Sequence, residues 1–430
     1  MRVLGIVSEY NPFHNGHAYQ IRKAKLLSGA DRVVVVMSGN FVQRGAPAVL
    51  DKFKRTKMAL ENGADFVFEI PAVFAVSSAE YFAAAGVGLL DALGCVDVIS
   101  FGCETPNLPL MDCIADVLTE EPDAYQKILY SFLKEGYSFP AARERAVAGC
   151  LQARELPDCG CSPEKAGEAA ADLLGAPNNI LALEYLKALK RSGSGIEPLP
   201  VLRKGAGYHE DGLGERYCSA AAIRKYLRSE SFRASNSGTL RKILADFIPE
   251  SAAAVLTASD TVFLTEQDFS GMLYYRLLCE RERGLKEYAD CTEELSNRIL
   301  NALPAFRDYR GFCERLKSRD MTYSRISRVL LHVLLGVTNM DPASGKSLGF
   351  APYLRLLGFR RDAEALFSEI RAKAKCPLLT KPAKARELLS PEALSLFRKD
   401  VFASDLYYGV LAQKNNREQK TEYRREMVIL

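Results

Sequence analysis

The sequence predicts an α/β fold: an open, parallel sheet of the doubly wound kind, followed by an all-helical C-terminal domain. In residues 1–105, short β-branched segments alternate with segments of helical periodicity, and beyond residue 230 the strand pattern ends. Strands separated by helices of this length imply right-handed βαβ crossovers, which build a parallel sheet. The 430 residues, 48% of them hydrophobic and 26% charged, are typical of a globular protein of two or three domains.

Four strands are expected in residues 1–105. Residues 3–7 and 32–37 are short apolar runs, and the second is continuous and β-branched, as in parallel strands buried on both faces. Residues 65–70 form a third strand, which stops at Pro71, and residues 96–101 form a fourth. The helices between them are predicted at residues 17–27 and 52–61 and in the Ala-rich segment from the capping box at 77–80 to Gly94.

The remaining chain is predicted to be mostly helical. Residues 106–176 are helical, and Pro177 begins a further helix because proline favours the first helical turn. A fifth strand is expected at 198–202, a glycine-rich loop containing His209 at 205–214, and a helix at 219–227. A serine-rich stretch at 229–237 divides the chain into domains 1–230 and 231–430, and the second shows helical spacing, for example at 272–278 and 326–335.

Composition and the N-terminus exclude several classes of protein. No apolar run approaches the ~20 residues that span a membrane, and the first residues lack the apolar core of a signal peptide. We therefore expect a cytoplasmic protein without a membrane partner. Among the 11 cysteines, the closest group is Cys150, Cys159 and Cys161, which no histidine complements as a zinc site. We expect reduced, structural cysteines and no protein metal ligands.

Charge is unevenly distributed along the chain. The net charge is +4, but residues 301–430 carry 24 Lys and Arg against 14 Asp and Glu, a net charge of +10. Such a basic third is expected of a module that binds a polyanion, although a solvated Lys-rich helical surface gives the same pattern. Lys317, Arg319, Arg325 and Arg328 cluster in twelve residues, and the last two share a helix face. They could bind the polyanion or pair with acidic residues inside the helical bundle.

Two of the four histidines, His14 and His17, lie three residues apart directly after the first strand. Doubly wound folds bind ligands at this carboxyl edge, and the next helix begins near Gly16, so its free N–H groups face the same crevice. Two imidazoles there can donate hydrogen bonds to phosphate oxygens and stabilise charge that develops during attack at an α-phosphorus. The alternative is a buried histidine pair that only caps the helix.

The segment YNPFHNGH, at 10–17, resembles the HxGH signature of the nucleotidyltransferase superfamily, which includes the class I aminoacyl-tRNA synthetases. Four further segments extend the resemblance: VVVVMSGNFVQRGAPAVLDKFKRTKMALENGADFVFEIP, FGCE, PNNILALEYLKAL and RKGAGYHE. Together they resemble one family over nearly the whole chain, the bacterial tRNA(Met) cytidine acetate ligases. This resemblance implies a Rossmann-like nucleotidyltransferase domain at 1–230 and a tRNA-binding helical domain at 231–430.

The resemblance also implies the reaction. These enzymes are understood to adenylate acetate with ATP, with Mg²⁺ expected on the phosphates, and to pass the acetyl group to N4 of the wobble cytidine of elongator tRNA(Met). His14 and His17 would be catalytic, and Lys317, Arg319, Arg325 and Arg328 would contact tRNA. The implied ATP contacts are Val7, Ser8, Glu9, Tyr10, Asn11, Pro12, Phe13, His14, Asn15, Gly16, His17, Ala18, Tyr19, Gln20, Gly102, Asn178 and Arg203.

Several of these positions have a simpler structural interpretation. Gly102 could be only a turn, Asn178 only a helix cap and Arg203 only a surface charge, and Asn179 cannot be separated from Asn178. The nucleotidyltransferase superfamily also has a motif at the start of a helix that binds phosphate, and Ser219 and Arg224 match it. An ordinary capped helix is the alternative.

Lys52 and Arg55 form a further candidate substrate site. If the helix at 52–61 faces the carboxyl edge of the sheet, both cations could pair with a substrate carboxylate or phosphate. A solvated Lys/Arg face is the alternative.

Three classes of function compete: an RNA-modifying ligase, a small-molecule nucleotidyltransferase that makes an adenylated metabolite, and a non-catalytic RNA-binding protein. The intact pair of His14 and His17 favours an enzyme over a non-catalytic protein. The basic C-terminal domain favours RNA, because a metabolite adenylyltransferase of this fold needs little beyond the first domain.

Overall fold

Residues 1–153, 163–204, 218–234 and 237–430 are described by a computed structural model. In this part of the chain, one sheet has the strand order β10–β8–β5–β2–β1–β6–β7, with β9 beside β8, and β3 and β4 form a separate hairpin. The strands are β1 (Val3–Ser8), β2 (Arg32–Ser38), β3 (Phe41–Val42), β4 (Ala46–Pro47), β5 (Phe66–Ile70), β6 (Val98–Cys103), β7 (Glu197–Leu202), β8 (Leu354–Phe359), β9 (Leu378–Leu379) and β10 (Val428–Ile429).

Helices cover both faces of the sheet and form most of the C-terminal half. Those of the first half are α1 (Asn15–Ser28), α2 (Lys52–Glu61), α3 (Ala72–Ala75), α4 (Ala79–Ala92), α5 (Leu108–Glu120), α6 (Asp123–Lys134), α7 (Phe139–Ala153), α8 (Pro163–Gly175) and α9 (Pro177–Ser192). The second half contains α10 (Ala220–Leu227), α11 (Glu230–Ala234), α12 (Ser237–Leu244), α13 (Glu250–Leu256), α14 (Ser270–Cys279), α15 (Glu293–Ala302), α16 (Tyr309–Leu316), α17 (Tyr323–Leu335), α18 (Met340–Ser347), α19 (Glu364–Lys373), α20 (Ala385–Leu388) and α21 (Pro391–Asn415).

The five predicted strands pair in parallel with one another. In the register, Gly5 of β1 lies between Val34 of β2 and Ile99 of β6, and β5 and β7 extend the sheet on either side. Because β1 is central, its carboxyl end opens between neighbouring strand ends, where a crevice forms. The predicted α/β class is confirmed, and α1 begins directly at this crevice.

The expectation that no strand follows residue 230 is wrong. Strand β8 pairs antiparallel with β5, opposing Leu356 to Phe68, and β9 and β10 pair with β8. A six-residue, mostly apolar segment such as LRLLGF cannot be distinguished from a buried helical segment by periodicity, and β9 and β10 have only two residues each. The C-terminal half is therefore mostly helical but completes the sheet.

A buried ionic cluster joins this C-terminal half to the sheet. The Lys52 ammonium lies 2.8 Å from carboxylate oxygens of Glu69 on β5 and Glu422 near the C-terminus. Arg355 on β8 also pairs with Glu422, at 3.5 Å. Two cations and two carboxylates balance one another in the interior, where an unpaired charge would be costly. The candidate substrate role of Lys52 is corrected here: its side chain is fully buried and its charge is satisfied within the protein.

The structure bears on the membrane and cysteine predictions only within the described residues. Among the described residues, no helix is long and apolar enough to cross a lipid bilayer. No disulfide joins the cysteines of that part of the chain. Cys159, Cys161, His209 and the whole loop predicted at 205–214 lie outside it.

We expect Lys52→Met to destabilise the fold strongly, because it leaves the Glu69 and Glu422 carboxylates buried together with one fewer cation. Breaking a buried pair in this way typically costs about 3–5 kcal/mol. Equilibrium unfolding in urea measures the loss, and Glu422→Gln added to Lys52→Met should recover part of it.

The matched control is Lys57→Met on the same helix, where the exposed Lys57 pairs with Glu61 at 3.8 Å. Removing such a surface pair costs about 1 kcal/mol or less. Equal urea midpoints for the two variants would contradict the importance of the buried cluster.

Candidate active site

His14 and His17 stack against each other at the start of α1. His14 is the N-cap residue, and its Nδ1 accepts a hydrogen bond from the backbone N–H of Gly16 at 3.0 Å. The Nδ1 of His17 accepts from the backbone N–H of His14 at 3.3 Å, and the ring centroids lie 3.7 Å apart. This reciprocal arrangement is an imidazole version of the capping box and fixes both rings.

Both histidines are neutral donors. Since each Nδ1 accepts a hydrogen bond, the proton of the neutral ring lies on Nε2. Burial, and then the charges of Arg203 and Arg224, lower the pKa of His14 to about 3. Burial, His14 and Arg203 lower the pKa of His17 well below its ordinary value. Each ring therefore offers one Nε2–H to an anionic oxygen without itself carrying a charge.

The pair borders a cleft at the carboxyl ends of β1, β6 and β7. The main cavity has a volume of about 400 Å³, and a cavity of about 40 Å³ adjoins it and shares His17, Gln20, Gly102 and Arg203. Of the predicted ATP-binding stretch, the residues that line these cavities are Val7, Ser8, Glu9, Tyr10, Asn11, His14, Gly16, His17, Tyr19 and Gln20.

Four residues of the same stretch do not line the two cavities. Phe13 and Ala18 lie in the hydrophobic core, and Pro12 is buried. The backbone and side-chain N–H groups of Asn15 donate to the carbonyls of Phe247 and Asp246, both at 2.9 Å. These residues support the turn before α1 on the side away from the cleft.

Gly102 leaves the cleft floor open at the end of β6. It lies in both cavities, and a Cβ atom there would come within 3.3 Å of the Cγ of Arg203. A side chain would therefore crowd Arg203 and fill the space next to His17.

The structure separates the two asparagines at the start of α9. Asn178 lines the cleft, where its Nδ2 donates to Oε1 of Glu104 at 2.5 Å and its Oδ1 accepts from Arg203 at 3.4 Å. Asn179 is fully buried, and its Oδ1 accepts the backbone N–H groups of Glu104 and Thr105 at 2.9 and 3.2 Å. Asn178 is thus the residue available to a ligand, and Asn179 supports the turn after β6.

Two arginines place positive charge beside His14. Arg224 donates to the carbonyl of Asn11 at 2.6 Å, and Arg203 and Arg224 both act electrostatically on His14. Burial is the largest influence on Arg224 and lowers its pKa to about 10, so it remains charged at neutral pH. Ser219 lines the small cavity, but its Oγ accepts the N–H of Ala222 at 3.1 Å and caps α10.

Arg55 does not face the cleft, contrary to the sequence-based expectation. Its side chain is fully buried, and its guanidinium donates to the carbonyls of Glu9 at 2.7 Å, Ser38 at 3.0 Å and Leu50 at 3.0 Å. It therefore positions the strand ends instead of binding a substrate.

The four basic residues of the C-terminal cluster occupy different environments. Lys317 and Arg319 are exposed before α17. Arg325 and Arg328 both pair with Asp290, each at 3.4 Å, so the pairing alternative is realised for these two. Arg328, with Ser324, also lines the main cavity.

Comparison with known proteins identifies the family. A model of the "HIGH Nucleotidyl Transferase" family matches residues 1–423. A curated tRNA(Met) cytidine acetate ligase of Thermoanaerobacter is 39% identical, covering 97% of this chain and 96% of its own length. This chain belongs to the tRNA(Met) cytidine acetate ligase family.

A further member, from Acetivibrio thermocellus, is 36% identical over the full length of both chains. The crystal structure of Thermotoga maritima TmcAL without ligand superposes with a TM-score of 0.89, at 31% identity and over 100% of both chains. The same protein bound with alpha-thio ATP gives a TM-score of 0.87. The resemblance inferred from the motifs is confirmed.

Sequence reasoning missed the part of the cleft that the β3–β4 hairpin and α17 supply. Gln43 and Arg44 line the main cavity, and Gly45, with a φ of 77°, makes the tight turn that forms this hairpin. A glycine after Gln43 and Arg44 is compatible with such a turn. Nothing local shows that the hairpin meets α17, almost three hundred residues later.

We predict that His17→Ala abolishes adenylate formation while the protein stays folded. The variant removes one Nε2–H donor, and loss of such a donor typically costs on the order of 10²-fold or more in rate. ATP–pyrophosphate exchange measures the loss, and the melting temperature reports folding. Arg22→Ala, at an exposed position of α1, is the control and should exchange normally. A folded His17→Ala protein with the wild-type exchange rate would remove His17 from the reaction.

Proposed function

We propose that this chain is an ATP-dependent ligase that activates acetate as acetyl-adenylate and transfers the acetyl group to N4 of the wobble cytidine of elongator tRNA(Met), forming N4-acetylcytidine. The observation that carries the proposal is the neutral pair His14 and His17, which faces a cleft with Arg203 and Arg224 in a chain of this family.

In the first step, an acetate oxygen attacks the α-phosphorus of ATP. The new P–O bond forms while the bond between the α-phosphorus and the oxygen that bridges it to the β-phosphorus breaks. Pyrophosphate leaves with the electron pair of the broken bond. The Nε2–H groups of His14 and His17 stabilise charge on the phosphate oxygens as it develops. Arg203 and Arg224 offset the negative charge of the phosphates.

Magnesium belongs to this step as part of the substrate. Among the described residues, no group of three or more His, Cys, Asp or Glu is placed to hold a metal ion. We propose that Mg²⁺ enters on the phosphates of ATP, because this ion usually keeps several waters and few protein ligands.

In the second step, the exocyclic N4 amine attacks the acetyl carbonyl carbon. The C–N bond forms, the bond from that carbon to the AMP oxygen breaks, and AMP leaves with the electron pair. N4 releases one proton to solvent. The cytosine must be unstacked to reach the cleft. An anticodon loop presents such a base at low cost because it is single-stranded.

The two parts of the chain divide this work. We propose that residues 1–230 bind ATP and acetate, and that residues 231–430 bind tRNA through Lys317, Arg319, Arg325 and Arg328. Binding of a polynucleotide by such residues releases counterions, so the affinity should fall steeply with salt. The +10 charge of residues 301–430 supports this division.

We expect ATP–pyrophosphate exchange to depend on acetate and to proceed without tRNA. Propionate should exchange more slowly, because one extra methylene in a tight pocket costs about 1–3 kcal/mol. The measurement is exchange with a panel of short carboxylic acids, with and without tRNA. Faster exchange with glycine or a long-chain acid would overturn the acetate assignment, and exchange that needs a phosphorylated metabolite instead would favour a small-molecule nucleotidyltransferase.

A further inference from the structure

One side of the cleft comes from the C-terminal half. Ser324 and Arg328, on α17, line the main cavity together with Gln43 and Arg44 of the β3–β4 hairpin. The carbonyl of Gly45 accepts the Ser327 hydroxyl at 2.7 Å, and a Cβ atom on Gly45 would stand only 2.4 Å from the backbone N of Arg328. The backbone of Arg328 is thus held tightly against the hairpin.

The guanidinium of Arg328 has donor capacity left. One Nη atom lies 3.4 Å from Asp290, and this same carboxylate also pairs with Arg325. Two cations on one carboxylate leave a net positive charge. Among the described residues, the buried Nε of Arg328 has no hydrogen-bond partner, although its side chain is only 14% exposed. An unpaired buried donor is costly, so the group is suited to an anionic acceptor in the cleft.

Arg328 reaches the cavity from α17, whereas Arg203 follows β7 and Arg224 lies on α10. Arg203 and Arg224 lower the pKa of His14, whereas the charges that act on Arg328 are those of Asp290 and Arg325. Arg203 and Arg224 thus form one group of cations beside the histidine pair, and Arg328 and Arg325, which share Asp290, form a second group on α17.

This second group leads from solvent into the cleft. Arg325 and Arg328 lie three residues apart on one face of α17, and their side chains are 33% and 14% exposed. A small carboxylate would use one such cation. A polynucleotide that enters along α17 would place successive phosphates on both, so the arrangement fits an extended polyanion best.

We propose that Arg328 binds the phosphate of the nucleotide whose base is acylated, and that Arg325 binds a neighbouring phosphate at the cleft entrance. This inference rests on the proposed function and assigns its RNA entry path. Arg328 is then a positioning residue: it sets the distance between the N4 amine and the acetyl carbon. A misplaced reacting group can cost on the order of 10²-fold in rate.

The test compares Arg328→Gln, Arg325→Gln and Arg328→Lys in two assays. One is ATP–pyrophosphate exchange without tRNA, and the other is single-turnover acetyl transfer to tRNA(Met) over a range of tRNA concentrations. Arg328→Gln should lower the transfer rate at saturating tRNA on the order of 10²-fold, and should affect exchange at least about tenfold less. Arg325→Gln should mainly weaken tRNA binding and reduce its salt dependence.

Two controls separate positioning from damage to the fold. Arg328→Lys keeps the charge and should recover part of the transfer rate. Arg360→Gln removes an arginine that pairs with Asp362 away from the cleft and should match the wild type in both assays. Melting temperatures of all variants report folding.

Three outcomes would overturn the inference. Exchange impaired as much as transfer would assign Arg328 to ATP or acetate, and an Arg328→Gln protein with normal transfer would show that it has no role. Wild-type protein that forms the adenylate but never acetylates tRNA would overturn the proposed function itself, and the inference with it.

Discussion

The site depends on how the chain is held where β1 and β2 end, and a single buried cation holds it. Arg55 donates to the backbone carbonyls of Glu9, Ser38, Gly39 and Leu50. Burial lowers its pKa, and the carbonyl groups supply the acceptors that a buried guanidinium requires. The ends of two neighbouring strands thereby keep a fixed separation, and the turn from Glu9 to His14 starts from a fixed point.

That turn determines what the histidines can do. Tyr10 adopts a φ of 44°, a conformation that non-glycine residues seldom adopt, and its ring packs edge-on against His17 at 4.8 Å. Backbone N–H groups of the turn then donate hydrogen bonds to both Nδ1 atoms. Sequence-local hydrogen bonds thus select the Nε2–H form of each ring, and burial keeps both rings neutral.

The C-terminal half is part of the same construction. Strand β8 extends the sheet, Glu422 completes the charges around Lys52, and α17 closes the cleft against the hairpin. The parts of the chain that are proposed to carry out adenylation and RNA binding are therefore packed against each other and do not move independently. Any movement of α17 on binding a polyanion would reach the hairpin, whose Gln43 backbone N–H donates to the Glu9 carboxylate at 2.9 Å.

Much of this was predictable where the determinants are local. The five parallel strands follow from periodicity, the helix start near Gly16 follows from the turn after β1, and the cations Arg203 and Arg224 follow from the family motifs. Lys52 and Arg55 were misjudged because their partners are set by the tertiary fold: Glu422 lies 370 residues away from Lys52. Asn178 and Asn179 are neighbours of the same type, so only the direction of each side chain from α9 separates them. Roles of individual residues toward ATP and tRNA remain predictions.

The proposed reaction joins acetate to a cytidine of tRNA in this cleft. The most direct measurement is nucleoside mass spectrometry of an unmodified tRNA(Met) transcript after incubation with the protein, ATP and acetate. We expect N4-acetylcytidine at the wobble position, none when ATP or acetate is omitted, and none in a transcript with uridine at that position. Acetate-dependent cleavage of ATP to AMP and pyrophosphate without any acetylated cytidine in the RNA would contradict the proposed reaction.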